Sequence, residues 1–198
     1  MRLAIIDSGG ANIASVRYAI ERLGVDASLT TDPDTVRAAT HVILPGVGTA
    51  ADCMARLAHS GLIDTIKSLT QPLLGICVGM QLLFESSEEG DVTCLSVLPG
   101  RVQRFPKRVG LPVPHMGWNQ LQVLRPTLLT QGIHPDDYVY FVHSYAAPVT
   151  DLTVASTDYG APFSAIVQKN NIYGVQFHPE RSARVGAILL RNFLSIHS

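Results

Sequence analysis

The chain has 198 residues, with 15 Lys and Arg against 16 Asp and Glu, and 46% of it is hydrophobic while 16% is charged. That balance offers no concentrated positive charge for nucleic acid or an anionic membrane, and it supplies enough apolar side chains to offset the entropy of folding, so polyanion binding is disfavoured and disorder excluded. A single domain over residues 1–198 is expected. Cys53, Cys77 and Cys94 form no close pair, which predicts neither a disulfide framework nor a metal site. The longest nearly apolar stretch, Pro72 to Phe84, is interrupted by Gln81. No signal segment or membrane span is predicted, and a reducing cytoplasm is the expected setting.

Strand and helix patterns alternate through the first half. Leu3 to Ile6 reads as a strand, and Ser15 to Leu23 as a helix, with Val16, Ala19, Ile20 and Leu23 on one face. Val25 to Thr30 (strand), Pro33 to Ala39 (helix) and His41 to Leu44 (strand) follow. Helices over Asp52 to His59 and Leu62 to Leu69 precede a strand at Leu73 to Ile76 and a helix from Val78 to about Glu85. Beyond Pro99 the rhythm changes to strands at Gln120 to Leu124, Tyr138 to Val142, Leu152 to Ser156, Phe163 to Val167 and Ile172 to Phe177. A turn at Lys169-Asn170-Asn171 joins the last two, and a helix from Ala183 to Leu194 closes the chain. The order predicts an α/β fold: a mostly parallel central sheet flanked by helices, with additional antiparallel strands in the C-terminal half.

The most informative segment is Leu74-Gly75-Ile76-Cys77-Val78-Gly79-Met80-Gln81. An apolar strand runs into a helix with Cys at the junction and Gly two residues to either side, the pattern of a nucleophile elbow with sulfur in place of oxygen. Free N–H groups at the start of the following helix favour thiolate over thiol. Cys53 and Cys94 lack this framing and read as structural. A cysteine nucleophile needs a base and a group to orient it, and His178 and Glu180 stand just past a strand, separated by Pro179. After the third strand, Pro45-Gly46-Val47-Gly48 offers backbone N–H groups for an oxyanion, although Pro-Gly after a strand is by itself usually only a turn. No phosphate-binding loop or dinucleotide fingerprint is present, and no cofactor is predicted. From the elbow alone, a thiol peptidase or a redox sensor of related fold remains an alternative.

The elbow, the closing His178-Pro179-Glu180-Arg181-Ser182 and the Pro45–Gly48 segment, in this order and spacing, resemble the class I glutamine amidotransferases, the Cys-His-Glu glutaminases of flavodoxin-like fold. Asp7-Ser8-Gly9-Gly10-Ala11-Asn12, Pro114-His115-Met116-Gly117-Trp118-Asn119 and Phe141-Val142-His143-Ser144-Tyr145 narrow the resemblance to glutaminases that feed a (β/α)8-barrel cyclase in histidine biosynthesis. The first of these departs from the Asp-Tyr-Gly-x-Gly-Asn of many relatives. The resemblance implies a thioester on Cys77, with His178 moving protons and Glu180 orienting it. It implies oxyanion donation by the N–H groups of Val47 and Val78, and glutamine contacts at Gly46, Gly48, Gln81, His143, Ser144 and Tyr145. It implies a heterodimer with the cyclase subunit, touched by Trp118, Asn119, Tyr140 and Arg181. The basic cluster Arg101, Arg104, Lys107 and Arg108 reads as a solvated loop.

Overall fold

The computed structural model describes residues 1–9, 12–106 and 108–197, so Gly10 and Ala11 of the N-terminal motif and Lys107 of the basic cluster lie outside the described residues. The first half runs β1 (Leu3–Ile6), α1 (Asn12–Glu21), β2 (Ala27–Thr30), α2 (Pro33–Ala38), β3 (His41–Gly46), α3 (Ala50–His59), α4 (Leu62–Lys67), β4 (Leu73–Cys77) and α5 (Val78–Gln81). Then come β5 (Ser86–Ser87), β6 (Val92–Thr93), β7 (Arg101–Arg104), β8 (His115–Gln120), β9 (Gln122–Val123), β10 (Tyr138–His143), β11 (Tyr145–Ala146), β12 (Thr153–Asp158), β13 (Pro162–Lys169), β14 (Ile172–Val175) and α6 (Ala183–Leu194).

Eight strands form the central sheet in the order β2-β1-β3-β4-β14-β13-β12-β9. The first five are mutually parallel, and β13, β12 and β9 continue the sheet antiparallel, which is the mixed architecture expected of the sequence. All residues of β1, β3, β4 and β14 are buried, as continuous apolar runs in a two-sided parallel sheet must be. Ligand sites in such sheets lie beyond the carboxyl ends of the strands. Here β3 and β14 flank β4, with Gly46 level with Cys77 and Val175 level with Ile76. Residues remote in sequence, Val47, Cys77 and Gln176, therefore emerge at one edge. Among the described residues no helix is long and apolar enough to cross a membrane.

Several elements differ from expectation for identifiable reasons. The helix expected from Val78 to about Glu85 stops after Gln81. The Leu83 and Phe84 N–H groups donate only three residues back, to the Met80 and Gln81 carbonyls at 3.1 and 3.2 Å, and the Glu85 N–H leaves the helix to donate to the Gly100 carbonyl at 3.0 Å. Arg101 and Arg104 are in strand β7, not a loop, and Arg101 pairs with Asp91 at 2.6 Å. The segment around Trp118 is strand β8, paired in register with β10, whereas only Gln122–Val123 of the strand expected at Gln120 to Leu124 joins the main sheet. Prolines before His115 and a glycine within the strand hid its alternation.

Candidate active site

At the end of β4, Cys77 adopts φ 56° and ψ −114°, a left-handed backbone conformation that a non-glycine residue takes only under tertiary constraint. The constraint is close packing. A Cβ on Gly79 would overlap the Leu44 carbonyl oxygen, and one on Gly75 would stand 2.7 Å from the Gly79 carbonyl oxygen. Both elbow glycines are thus required by backbone contact between α5 and strands β3 and β4. Cys77 is 5% exposed, and Gln176 Nε2 donates toward its Sγ at 3.8 Å. Cys53 and Cys94 are also buried, but burial pushes both thiols up, Cys94 to about 11, and Cys53 Sγ donates to the Val47 carbonyl at 3.4 Å.

His178 and Glu180 come together beside the elbow. His178 Nδ1 lies 2.8 Å from Glu180 Oε1, and the Glu180 side chain is fully buried. Burial opposes charge on His178, yet the neighbouring Cys77 sulfur and Glu180 carboxylate outweigh it and push the imidazole up to about 10. Its Nε2 is buried and makes no well-formed hydrogen bond among the described residues, which leaves that nitrogen for chemistry. The backbone is pinned: His178 N–H donates to the Tyr140 carbonyl, and Ser182 Oγ donates to the His178 carbonyl while accepting from Tyr140 N–H. Asn12 Nδ2 donates to Glu180 Oε1 at 2.6 Å and stands 2.9 Å from His178 Nδ1. Sequence reasoning assigned Asn12 no role; its place in the N-terminal motif was the available signal.

A pocket of about 210 Å³ opens over Cys77 and is lined by Gly48, Val78, Gln81, Glu89, Pro114, Val142 and residues 143–145. It is smaller than the roughly 300–1,000 Å³ of sites for larger ligands and suits an amino acid. Gln81 is buried, and its Nε2 donates to the Tyr145 carbonyl at 2.8 Å and to Gln176 Oε1 at 3.0 Å. With both of its N–H groups engaged, the Gln81 side chain has only its carbonyl oxygen free for a ligand. Glu89, missed from the sequence, supplies the pocket's carboxylate; burial pushes it up, and Ala50 N–H donates to it at 2.8 Å. Gly46 does not line the pocket but packs against Val78 and Gly79, while Gly48 does line it, at φ 95°.

The oxyanion segment stands in a particular orientation. Val42 N–H donates to the Pro72 carbonyl at 2.9 Å, and alternate residues of a parallel strand face the same neighbour. Leu44 and Gly46 therefore also turn toward β4, and the Gly46 carbonyl faces the junction of Cys77 and Val78. The Val47 N–H, across the same peptide plane, points away from the nucleophile.

On the other side of the pocket, the β8–β10 ribbon separates the four residues expected at a partner surface. Trp118 and Tyr140 are paired in register and packed edge to face at 6.0 Å, and the Arg181 guanidinium lies 4.4 Å above the Tyr140 ring. These three share an outward face, with Trp118 51% exposed. Asn119 is the exception: as the strand alternates, it turns inward and donates to the Asp158 carbonyl.

An elbow cysteine, a buried histidine paired with a carboxylate and an amino-acid-sized pocket are together the equipment of a cysteine-dependent amide-cleaving site. The chain matches the family model "Glutamine amidotransferase class-I" over residues 4–196 and belongs to that family. Within it, the chain is 56% identical over 194 residues to "Imidazole glycerol phosphate synthase subunit HisH" of Xanthomonas campestris pv. campestris (strain 8004), covering 98% of this chain and 97% of that protein. The protein of the same name from Xylella fastidiosa (strain 9a5c) is 55% identical with the same coverage. The fold is also that of "Structure of PurLQS from Thermotoga maritima", with TM-score 0.77 and 20% identity over 98% of this chain and 97% of that one.

Proposed function

We propose that the chain, a single glutaminase domain, hydrolyses glutamine to glutamate and ammonia and passes the ammonia to a (β/α)8-barrel cyclase subunit. The two form a cytoplasmic heterodimer that makes imidazole glycerol phosphate in histidine biosynthesis. The observation that carries this reading is the buried His178 held by Glu180 at 2.8 Å, with Nε2 unpartnered beside the elbow Cys77 that lines the pocket.

In this mechanism the Cys77 sulfur attacks the side-chain amide carbon of glutamine. A C–S bond forms, the C–N bond breaks, and His178 Nε2 delivers its proton to the departing ammonia. Water then attacks the thioester carbonyl, His178 takes up one of its protons, and the C–S bond breaks to release glutamate and return the Cys77 thiolate beside the recharged imidazolium. Glu180, itself held by the donated bond from Asn12, fixes the imidazole so that Nε2 is turned to the sulfur side in both half-reactions. The Glu89 carboxylate and the Gln81 carbonyl oxygen are placed to accept from the α-ammonium of glutamine, with the backbone of residues 143–145 forming the opposite wall.

The Val78 N–H is one oxyanion donor. The Val47 N–H becomes the second only after the Gly46–Val47 plane turns over, and loss of one such donor costs roughly 2.7–4 kcal/mol of transition-state stabilisation. The lone chain is therefore expected to be a poor glutaminase that the ligand-loaded cyclase activates. Moving a 1% competent population to 99% takes about 5.5 kcal/mol of differential binding.

The electrophilic glutamine analogue 6-diazo-5-oxo-norleucine tests the reading. Mass spectrometry is expected to find it on Cys77 alone, and label on Cys53 or Cys94 would overturn the assignment.

A further inference from the structure

Two buried histidines, His143 at the pocket wall and His115 beyond it, have imidazole rings for which the mechanism has no use. His115 Nδ1 is 3.2 Å from His143 Nε2. His143 Nδ1 is 2.8 Å from the Tyr145 carbonyl, and Asn119 Nδ2 is 3.3 Å from His115 Nε2. Both ends of this line have a fixed polarity. At the outer end, the Asn119 amide is oriented twice over, since its Oδ1 accepts from Gln120 N–H at 2.8 Å and its Nδ2 donates to the Asp158 carbonyl at 2.9 Å. Its Nδ2 is thus the donor to His115 Nε2, which leaves the proton of a neutral His115 on Nδ1. At the inner end, the Tyr145 carbonyl can only accept, so His143 carries its proton on Nδ1 and presents a lone pair at Nε2. The two deductions are independent and meet in one hydrogen bond, from His115 Nδ1–H to His143 Nε2.

The surroundings keep both rings neutral. His115 is stacked on Tyr159 at 4.0 Å and on Phe141 at 4.9 Å, and Phe105 and Phe163 close around His143. None of the side chains in these contacts is a carboxylate, and burial lowers His115 to about 4 and His143 to about 3. A proton on either ring would set N–H against N–H or strand a charge among aromatic rings.

The Tyr145 carbonyl that His143 holds is the same one that accepts from Gln81 Nε2, and Gln81 in turn donates to Gln176, which donates toward Cys77. We infer that His115 and His143 form a proton-ordered strut that positions the Tyr145 carbonyl and, through it, the Gln81 side chain in the glutamine pocket. The inference rests on the pocket being the glutamine site, but its first test does not. His115 and His143 are positioning residues in this scheme; neither touches the reacting atoms.

Nitrogen NMR of the unmodified chain at neutral pH reads the tautomers with no ligand present. Both rings are expected to be neutral with the proton on Nδ1, and either one found as the Nε2–H form or as imidazolium overturns the strut. His115→Asn keeps an amide N–H near the place of Nδ1, and His115→Leu removes it. The Gln81 side-chain amide resonances should move in the Leu variant and return toward the parent in the Asn variant. Calorimetry on a Cys77→Ser background is expected to show glutamine binding weakened about tenfold by His115→Leu and restored to within about threefold by His115→Asn, the size of effect from stranding a buried acceptor. Equal affinity in parent and Leu variant, or no recovery in the Asn variant, overturns the positioning role. A Cys77→Ser chain with native His115 that takes up no glutamine would instead count against the glutaminase reading, while the tautomers still decide the strut.

Discussion

His178 and His143 are both buried beside one pocket, and they are held in opposite protonation states. Desolvation opposes charge on each. At His178 the carboxylate of Glu180 and the sulfur of Cys77 reverse the outcome and raise the ring to about 10. At His143 the neighbours are a carbonyl, a second histidine and aromatic rings, and the ring falls to about 3. Burial is common to both; the polar partner decides the charge. One wall of the pocket thereby holds a ready proton and the other a fixed pattern of neutral donors and acceptors.

The contrast is broken most completely by removing the reactive side. Cys77→Ala is expected to lower glutamine-dependent synthesis by about 10⁴-fold or more while ammonia-dependent synthesis by the assembled pair survives, because the second route needs no thioester. Parallel assays with glutamine and with ammonium salts check this, and equal loss in both would place the defect in assembly. His178→Ala should cost about 10³-fold in kcat/KM for glutamine, within the usual range for a general acid and base. Glu180→Gln should be milder, roughly 10–100-fold, since it keeps the shape and a hydrogen-bond partner while removing the charge that sustains the imidazolium. A Glu180→Gln loss as large as that of His178→Ala would mean the carboxylate does more than orient.

Gly48→Ala sharpens a different point. No atom lies within 4 Å of the added methyl, but φ is 95°, so the cost is backbone strain, about 1–3 kcal/mol. A lowered thermal midpoint together with weaker activation by the cyclase is expected, and unchanged stability would show that the segment relaxes on substitution.

The pH dependence of stability takes opposite signs at the two kinds of histidine. His178, raised above its ordinary value, contributes stability that is complete below about pH 6.5 and is lost as pH rises through about 10. His115 and His143, lowered, contribute stability present above about pH 6.5 and lost as pH falls through about 4 and 3. Thermal midpoints across this span should fall at both ends. His178→Ala should flatten the alkaline limb and His115→Asn the acid limb; a mutant that leaves its own limb unchanged would contradict the pairing assigned to it.

Much of this molecule was readable from its residues because the relevant signals are local. Continuous apolar runs at Leu3–Ile6 and Leu73–Ile76 can only be interior parallel strands, and α6 spans the range its apolar spacing predicts. The Gly-x-Cys-x-Gly elbow carries its own steric reason. The four-residue length of α5 was not readable, because it depends on the Glu85 N–H being drawn to the Gly100 carbonyl, fifteen positions away. Nor was the inward turn of Asn119, which depends on the register of β8 against β10. Asn12, Glu89, Gln176 and His115 enter the pocket region from four separate segments, and no spacing in the sequence links them to Cys77. The sequence alone marked the strands and helices of the parallel half and the cysteine that stands at the elbow, since both follow from neighbours along the chain. Only the tertiary structure decided which histidine holds a charge, because that depends on the groups that folding brings within hydrogen-bond reach in a dry interior.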